Sequence, residues 1–254
     1  MNKNRSCDSS TIEIGGIIFS SIEYSSNTSL VIFTAGCMLK CPYCHNADII
    51  DRGDMWDIKE IFKKIDESLC FIDSVVVSGG EPLRQHLKVY EILKYSKSLG
   101  LKTKLDTNGY YPSKLKKLIK LVDYVALDIK APFPKYKKII GEQIGPQIRK
   151  SMEICFEDPD TFLECRTTYV PALMEPEDII EIAKSVNCDL YTLQQFNNRK
   201  VLDKKLEQAI MPLRDDVKKI AESLKPYQKN VMIKTYEFGE EIISNSPNIL
   251  IKIN

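Results

Sequence analysis

The sequence predicts an α/β protein folded as a partial, open (β/α)6 TIM-like barrel, with a short N-terminal β extension and a C-terminal extension. Short β-branched apolar runs alternate along the chain with segments of helical periodicity, which is the pattern of a parallel sheet with helical crossovers. Six such strand–helix units are present, fewer than a closed barrel needs. The chain of 254 residues is long enough for one domain of this kind.

The predicted strands are short, apolar and followed by polar or glycine-containing turns. The strands of the six units cover residues 30–34, 74–78, 101–105, 123–130, 162–170 and 190–196. A strand or hairpin at 11–24 precedes them, and a late strand at 231–236 follows them. These positions place the N-terminal extension at 1–28, the barrel at 29–198 and the C-terminal extension at 199–254.

The predicted helices show apolar residues on one face and capping residues at their ends. They cover residues 57–69, 87–99, 113–121, 144–155, 175–186 and 215–224. Asp57 and Ser113 are the expected N-caps of the first and third of these helices. Gly100 is expected to end the second helix, and Pro176 suits the first turn of the fifth.

Composition excludes several classes of protein. The net charge of +1 predicts no broad attraction to nucleic acid or to a membrane surface. No apolar run is long enough to cross a membrane, and the N-terminal residues lack the apolar core of a signal peptide. We therefore expect a cytoplasmic protein whose eight cysteines are thiols or metal ligands rather than disulfides.

Three cysteines lie within eight residues directly after the first barrel strand. Cys37, Cys41 and Cys44 have the spacing C-x3-C-x2-C. Three thiolates on one loop are suited to hold three irons of a [4Fe–4S] cluster, which leaves the fourth iron open to a ligand. A Cys3His zinc site with His45 is the alternative, but no second ligand pair follows. A redox dithiol would leave Cys37 unexplained.

The other five cysteines share no short spacing. We interpret them as buried or incidental thiols, with a second cluster as the alternative; they are Cys7, Cys70, Cys155, Cys165 and Cys188. His86 is interpreted as structural. Two lysine-rich stretches, 114–117 and 135–138, are interpreted as solvated faces, with an acidic partner or an electron donor as the alternative.

Polar residues end the next four predicted strands. The C-terminal ends of parallel strands meet on one face, where such folds carry their sites. Carboxylates, a carboxamide and cations together suit a zwitterionic ligand that carries a ribose. The residues concerned are Gly79, Gly80 and Glu81 after the second strand, Asp106, Thr107 and Asn108 after the third, Asp128 and Lys130 after the fourth, and Arg166 on the fifth.

The cysteine motif with Tyr43 before its last cysteine, followed by Gly79-Gly80-Glu81-Pro82, resembles the radical S-adenosylmethionine superfamily. Within it, the sequence is similar to the glycyl-radical enzyme activating family, and most of all to activating proteins of the anaerobic ribonucleoside-triphosphate reductase. The segments that carry the closer resemblance are 41–46, 105–109, 122–130, 166–168 and 194–196.

The resemblance implies a role for each of these residues. Cys37, Cys41 and Cys44 would ligate a [4Fe–4S] cluster whose open iron binds S-adenosyl-L-methionine. Tyr43 would lie near the adenine, and Gly79, Gly80 and Glu81 would receive the methionyl amino group. Asn108, Lys130 and Arg166 would hold the ribose or the carboxylate, and Asp106, Thr107 and Asp128 would bind a monovalent cation.

The resemblance also implies the reaction and its partners. Reductive cleavage of S-adenosylmethionine would give a 5′-deoxyadenosyl radical that abstracts hydrogen from a glycine of a partner enzyme, the anaerobic (class III) ribonucleotide reductase. A flavodoxin or ferredoxin would donate the electron. The alternatives are a radical enzyme acting on a small molecule or peptide, of the deazaguanine-forming or peptide-modifying type, and a zinc-stabilised non-enzymatic binding protein.

Two regions depart from the family pattern. Residues 20–26 stand where the family usually has an Asp-Tyr-Pro-Gly turn, which weakens the assignment of one particular partner. The sequence after Phe196 matches no motif, and we expect it to face the partner or to cover the cluster.

Overall fold

The computed structural model describes residues 10–244. Within this range ten strands form one sheet. They are β1 (Thr11–Ser20), β2 (Ser29–Thr34), β3 (Asp54–Asp57), β4 (Ser74–Gly79), β5 (Lys102–Thr107), β6 (Tyr124–Asp128), β7 (Phe162–Tyr169), β8 (Leu190–Gln195), β9 (Val231–Thr235) and β10 (Gly239–Ser244). Cys7 lies outside the described residues.

Seven of these strands are parallel. The strand order is β10-β9-β8-β7-β6-β5-β4-β2-β1-β3, and every neighbouring pair from β2 to β9 is parallel. Strands β1, β3 and β10 pair antiparallel at the two ends of the sheet. The predicted α/β class and open barrel are confirmed, and the late strand β9 adds one more parallel strand than the six units predicted.

The helices connect the parallel strands. They are α1 (Ile58–Ser68), α2 (His86–Ser98), α3 (Pro112–Leu118), α4 (Tyr136–Ile140), α5 (Gly145–Phe156), α6 (Pro176–Ser185) and α7 (Arg214–Ser223). In the described part of the chain, no helix has both the length and the apolar character needed to cross a membrane.

Two predicted helix ends are confirmed: Gly100 follows the end of α2 with a φ of +78°, and Pro176 is the first residue of α6.

The two predicted N-caps had different outcomes. Asp57 caps α1 in a capping box with Glu60. Ser113 is not an N-cap, so that prediction is wrong. Pro112 starts α3, because its missing N–H and fixed φ suit the first helical position, and the capping residue Tyr111 makes no side-chain bond.

The core has an outer and an inner part. Alternate residues of the strands face the helices, and the others face inward. The inward cluster joins side chains of β2 and β4 with side chains of β8 and β9, from opposite ends of the parallel part of the sheet. This shows that the sheet curls into an incomplete barrel. Its members are Tyr24, Val31, Val76, Tyr124, Ala126, Phe162, Leu190 and Met232.

The gap between the ends of the sheet is bridged by the loop that joins β1 to β2. Ser25 Oγ donates to Glu240 Oε2 at 2.9 Å, and Lys234 Nζ donates to the Ile22 carbonyl at 3.3 Å. Strands on both sides of residues 28 and 198 belong to the same sheet, and the domain boundaries at these residues stay predictions.

Candidate active site

A cavity of about 370 Å³ lies at the carboxyl ends of the parallel strands. It brings together most of the residues predicted from the sequence. They are Cys37, Cys41, Tyr43, Cys44, Gly79, Gly80, Asp106, Thr107, Asn108, Asp128, Lys130 and Arg166. Glu81, the remaining predicted residue, lies behind the cavity wall, fully buried.

The cysteine loop is fixed by backbone hydrogen bonds at both ends. The N–H groups of Gly36 and Cys37 donate to the carbonyls of Ile49 and Ile50 at 2.7 and 2.9 Å. The Cys44 N–H donates to the Cys41 carbonyl at 3.0 Å, which closes the turn. These bonds hold the three cysteines on the cavity wall.

The three thiols are kept from ionising by their surroundings. Burial raises the pKa of Cys37 to about 11, and burial also raises the pKa of Cys41 and of Cys44. Two donors already point at the Cys37 sulfur: the Leu39 N–H at 3.4 Å and the Asn108 side-chain amide at 3.6 Å. Positive charge brought by a metal group would favour the thiolate forms.

Gly79 and Gly80 bring the end of β4 against the cysteine loop. The Gly80 N–H donates to the Thr34 carbonyl at 2.8 Å, and a Cβ on Gly80 would lie 2.5 Å from the Gly36 carbonyl oxygen. Gly79 has a φ of +115°. The sequence predicted a close approach of backbone to a ligand; the structure shows a close approach of two backbone segments.

The Glu81 carboxylate is saturated by donors of the chain. It accepts from the backbone N–H of Leu83 at 3.0 Å, from Thr107 Oγ1 at 2.8 Å and from the Asn108 N–H at 2.8 Å. Burial raises the pKa of Glu81 to about 7, although these bonds oppose the shift. In this structure Glu81 joins the ends of β4 and β5, and its role as acceptor of a ligand ammonium stays a prediction.

Arg166 joins two carboxylates on the cavity floor. Its Nε donates to Asp128 Oδ1 at 3.0 Å, and its Nη1 donates to Asp106 Oδ2 at 3.3 Å. Burial alone would raise the pKa of Asp128, but Lys130 and Arg166 outweigh this and lower it. Lys130 Nζ lies 3.0 Å from the other oxygen of Asp128. Cations and carboxylates thus alternate along one wall.

One oxygen of this wall has no hydrogen-bond partner among the described residues. Asp106 Oδ1 is buried, and its nearest cation is Lys104 Nζ at 3.8 Å. Such an acceptor fits a ligand ammonium or a monovalent cation. Arg166 and Lys130 already balance Asp128, so the cation site at Asp106, Thr107 and Asp128 stays a prediction.

Tyr43 closes the side of the cavity next to Lys130. Its hydroxyl donates to the Lys130 carbonyl at 3.2 Å, and the Lys130 N–H donates to the Tyr136 hydroxyl at 2.8 Å. Burial alone would lower the pKa of Lys130, but the Asp128 carboxylate outweighs this and raises it. The Lys130 ammonium is therefore held charged beside the cysteine loop.

Several lining residues were not predicted from the sequence. They are Glu23, Phe33, Leu39, Asn46, Ser78, Thr168 and Gln194, whereas His45, which also lines the cavity, was considered only as a zinc ligand. Thr168 follows Arg166 by two residues, so the period of a strand is a signal that would have found it. Asn46 Nδ2 donates to the Gly79 carbonyl at 2.9 Å. Glu23 belongs to a serine-rich loop and gives no signal.

The other described cysteines lie outside this cavity. Cys155 and Cys165 are buried, Cys188 is half-buried and Cys70 is exposed. Across residues 10–244 no group of three Cys, His, Asp or Glu side chains is arranged to hold a metal ion. The fit of a cluster at Cys37, Cys41 and Cys44 therefore rests on their donor type and on the cavity that they share.

A second cavity of about 660 Å³ opens beside the first. The two share His45, Thr168 and Gln194 in their walls. The outer cavity runs between the loop at residues 21–26 and the hairpin of β9 and β10. The shared residues place the outer cavity directly beside the inner one.

The stretch after β8 packs on the cysteine loop. The Asp203 N–H donates to the Pro42 carbonyl at 2.8 Å, and His45 Nδ1 lies 3.2 Å from the Arg199 carbonyl. Val201 and Leu206 are buried beneath it. This stretch covers the outer side of the loop.

Comparison with known proteins gives a match over this region. Residues 31–157 match the model of the Radical SAM superfamily. The chain is 41% identical over 239 residues to a protein of Methanocaldococcus jannaschii named for glycyl-radical enzyme activation, covering 90% of this chain and 98% of that protein. It is 38% identical over 119 residues to the pyruvate formate-lyase-activating enzyme of Clostridium pasteurianum, covering 44% of this chain and 50% of that enzyme.

Solved structures show the same architecture. TYW1 with a bound lysine–pyruvate adduct superposes with a TM-score of 0.62 at 15% identity, over 85% of this chain and 80% of that one. Streptococcus suis SuiB bound to S-adenosylmethionine superposes with a TM-score of 0.63 at 17% identity, over 82% of this chain and 50% of that one. At these sequence identities the likeness shows a shared fold and no more.

Proposed function

This chain belongs to the radical S-adenosylmethionine superfamily and is an enzyme of its glycyl-radical activating family, and we propose that its partner is an anaerobic (class III) ribonucleotide reductase. The choice of partner rests on the resemblance of segments 41–46, 105–109, 122–130, 166–168 and 194–196 to activating proteins of that reductase. The observation that carries the radical chemistry is the cavity that three thiols share with the alternating charges of Asp106, Arg166, Asp128 and Lys130. That charge pattern suits a zwitterion beside an iron–sulfur group.

The residues present fit the two cofactors of the family. Cys37, Cys41 and Cys44 would hold the [4Fe–4S] cluster, since thiolates are its usual ligands. Asp106 Oδ1, which has no hydrogen-bond partner among the described residues, offers a negative charge to the amino group of S-adenosylmethionine. The Lys130 ammonium offers a positive charge to its carboxylate group. When bound, the two groups supply one-electron cleavage of the sulfonium and a 5′-deoxyadenosyl radical.

The remaining assignments extend this arrangement. We propose that Tyr43, which lines the cavity next to Lys130, lies near the adenine. Asn108 and Arg166 are assigned to the ribose or the carboxylate, because both line the cavity next to Cys37 and Asp128. The monovalent cation is proposed at Asp106, whose unpartnered oxygen Oδ1 would be its first ligand.

The chain itself positions the reactants and excludes water. The carboxyl ends of β2, β4 and β5 are tied together through Gly80 and Glu81, so the cysteine loop and the charged wall keep a fixed relation. The stretch after β8 shields the loop from solvent. A radical needs such shielding, because stray hydrogen donors would otherwise quench it.

The partner's glycine is proposed to enter through the outer cavity. This route ends at His45, Thr168 and Gln194, on the wall that it shares with the inner cavity. Glycine suits hydrogen abstraction, because no side chain obstructs its Cα and the resulting radical is delocalised over two amides. The predicted electron donor, a flavodoxin or ferredoxin, and the cytoplasmic location stay predictions.

The test uses the reconstituted enzyme, dithionite, S-adenosylmethionine and candidate partners under anaerobic conditions. We expect a glycyl-radical doublet in the electron paramagnetic resonance spectrum of a class III ribonucleotide reductase, with 5′-deoxyadenosine formed in equal amount. A doublet on another glycyl-radical enzyme would overturn the choice of partner. Formation of 5′-deoxyadenosine only with a small molecule or peptide would overturn the activating function.

A further inference from the structure

A basic and partly apolar surface lies beside Gly36, the residue before Cys37, and outside the lining of the inner cavity. The side chains that form it come from the turn after β4, the first turns of α2 and the exposed side of α3, and α2 packs against α3. We call it the rim patch and define it by Arg84, His86, Leu87, Tyr90, Lys114 and Lys117.

The rim patch touches the backbone that carries the first cysteine. A Cβ on Gly36 would lie 1.6 Å from Arg84 Nη1, so the guanidinium rests on the residue directly before Cys37. Lys114 Nζ lies 3.9 Å from the centre of the Tyr111 ring. This surface therefore lies within a few side chains of the cysteine sulfur.

The positive charge of the rim patch is largely unbalanced. Arg84 has only Glu13 at 3.8 Å, and within residues 10–244 neither Lys114 nor Lys117 has an ion pair with a carboxylate. The pKa of His86 is lowered by burial and by both lysines. Cations that crowd one another in this way gain from a partner that brings negative charge.

The centre of the rim patch is apolar. Leu87 is 68% exposed and Tyr90 is 39% exposed, and they lie one helical turn apart on α2. Exposed apolar and aromatic side chains surrounded by charges are typical of a protein–protein interface. These two side chains distinguish the rim patch from a solvated face made of charged side chains alone.

We propose that the rim patch docks a small acidic protein that delivers single electrons to the cluster. This inference rests on the proposed function, because only a cluster at Cys37, Cys41 and Cys44 would need the electron. In each docking event the carrier loses one electron and the cluster gains it, and no covalent bond forms or breaks. The glycine-bearing partner has the outer cavity at β8–β10, so the two proteins approach different faces.

The test reverses two charges of the rim patch and compares a matched control. Lys114→Glu/Lys117→Glu changes the patch, whereas Lys225→Glu/Lys229→Glu makes the same charge change at the opposite end of the sheet, on exposed lysines before β9. The probe is a purified acidic flavodoxin in its fully reduced state. Its Kd for each reconstituted enzyme is measured at low and high salt, with the rate of cluster reduction.

We expect the Lys114→Glu/Lys117→Glu variant to bind the flavodoxin about tenfold more weakly at low salt, with the difference shrinking as salt screens the charges. Cluster reduction by flavodoxin should slow by the same factor, and reduction by dithionite should not change. The control variant should match the wild type. Leu87→Asp, which removes the exposed apolar centre, should reproduce the loss.

Equal affinity of the two double variants for flavodoxin would overturn the proposal. So would a loss of affinity for the glycyl-radical partner alone, or a loss of dithionite reduction, which would place the rim patch in the cofactor site. Failure of the proposed function is a separate result, because it appears as a missing glycyl radical on the partner with dithionite as reductant. The docking measurement requires no glycyl-radical partner.

Discussion

The backbone N–H of Asn108 donates to Glu81 Oε2 at 2.8 Å, and the side-chain amide of the same Asn108 lies 3.6 Å from the Cys37 sulfur. A buried carboxylate on one strand end thus sets the position of a carboxamide at the next, which in turn faces the first cysteine. The contact links the Gly-Gly-Glu segment to the cysteine loop through the chain rather than through a ligand.

Glu81→Gln should destabilise the protein. Near pH 5 Glu81 is protonated, and its hydroxyl oxygen can still accept a hydrogen bond, whereas the amide NH2 of Gln cannot. One of the buried donors of Leu83, Thr107 and Asn108 would therefore lose its acceptor. We expect a loss of about 1–3 kcal/mol in the free energy of unfolding of the iron-free chain near pH 5, measured by urea denaturation. The partly exposed Glu91→Gln is the control, and equal midpoints for the two variants would contradict the assignment.

The destabilisation caused by Glu81→Gln should depend on pH. The folded protein holds the Glu81 proton more tightly than the unfolded chain, because burial raises its pKa to about 7. Wild-type stability relative to the variant should therefore fall as pH rises from about 4.3 to about 7, by up to about 3 kcal/mol, and level off above. The neighbouring groups Asp128, Lys114, Cys37 and Tyr111 are common to both proteins. A difference that is constant with pH would refute this shift.

Gly80→Ala should disturb the cysteine loop. The new Cβ would lie 2.5 Å from the Gly36 carbonyl oxygen, so the two backbone segments must move apart. We expect a stability loss of about 1–3 kcal/mol and reduced iron content after anaerobic reconstitution. Gly16→Ala is the matched control, because a Cβ at Gly16 meets no atom within 4 Å. Equal iron content in the two variants would show that the close approach has no effect on the loop.

The fold was predictable because its signals are local. A β-branched run and a following turn predict each barrel strand. The capping box of Asp57 involves only four consecutive residues. The same locality places Asp106, Asp128 and Arg166 at strand ends. In the parallel register of β6 and β7, Arg166 lies directly opposite Asp128. This pairing brings the charged residues of three strand ends together on one wall of the cavity.

The direction of Glu81 was not predictable from its motif. Its donors Thr107 and Asn108 come from the next strand, 26 and 27 residues away, and only tertiary packing decides which way the carboxylate points. Glu23 was missed for a similar reason. The loop that carries it has a turn-like composition, yet Tyr24 anchors it among the inward side chains and brings Glu23 to the cavity.

Cys41→Ala should remove the iron–sulfur group. Two thiolates would remain on the loop, too few to hold a cluster that leaves one iron open. Iron content, the absorbance near 400 nm and glycyl-radical formation should fall together. Cys70→Ala is the control, since Cys70 is exposed and lies outside the cavity. Full iron content in Cys41→Ala would refute the assignment of the cluster ligands.

Arg166→Met should destabilise the fold at neutral pH. It leaves Asp106 and Asp128 on the cavity floor without the guanidinium that contacts both, and removing one partner of a buried ion pair costs about 3 kcal/mol. Arg166 and Lys130 lower the pKa of Asp128, so its ionised form stabilises the wild type above the unfolded pKa of about 4. The loss should therefore shrink in acid, where the carboxylates are protonated. Arg214→Met, which breaks the ion pair with Glu241 on the open side of the sheet, should cost much less. Equal losses in the two variants, or a loss that persists at low pH, would show that Arg166 acts by packing alone.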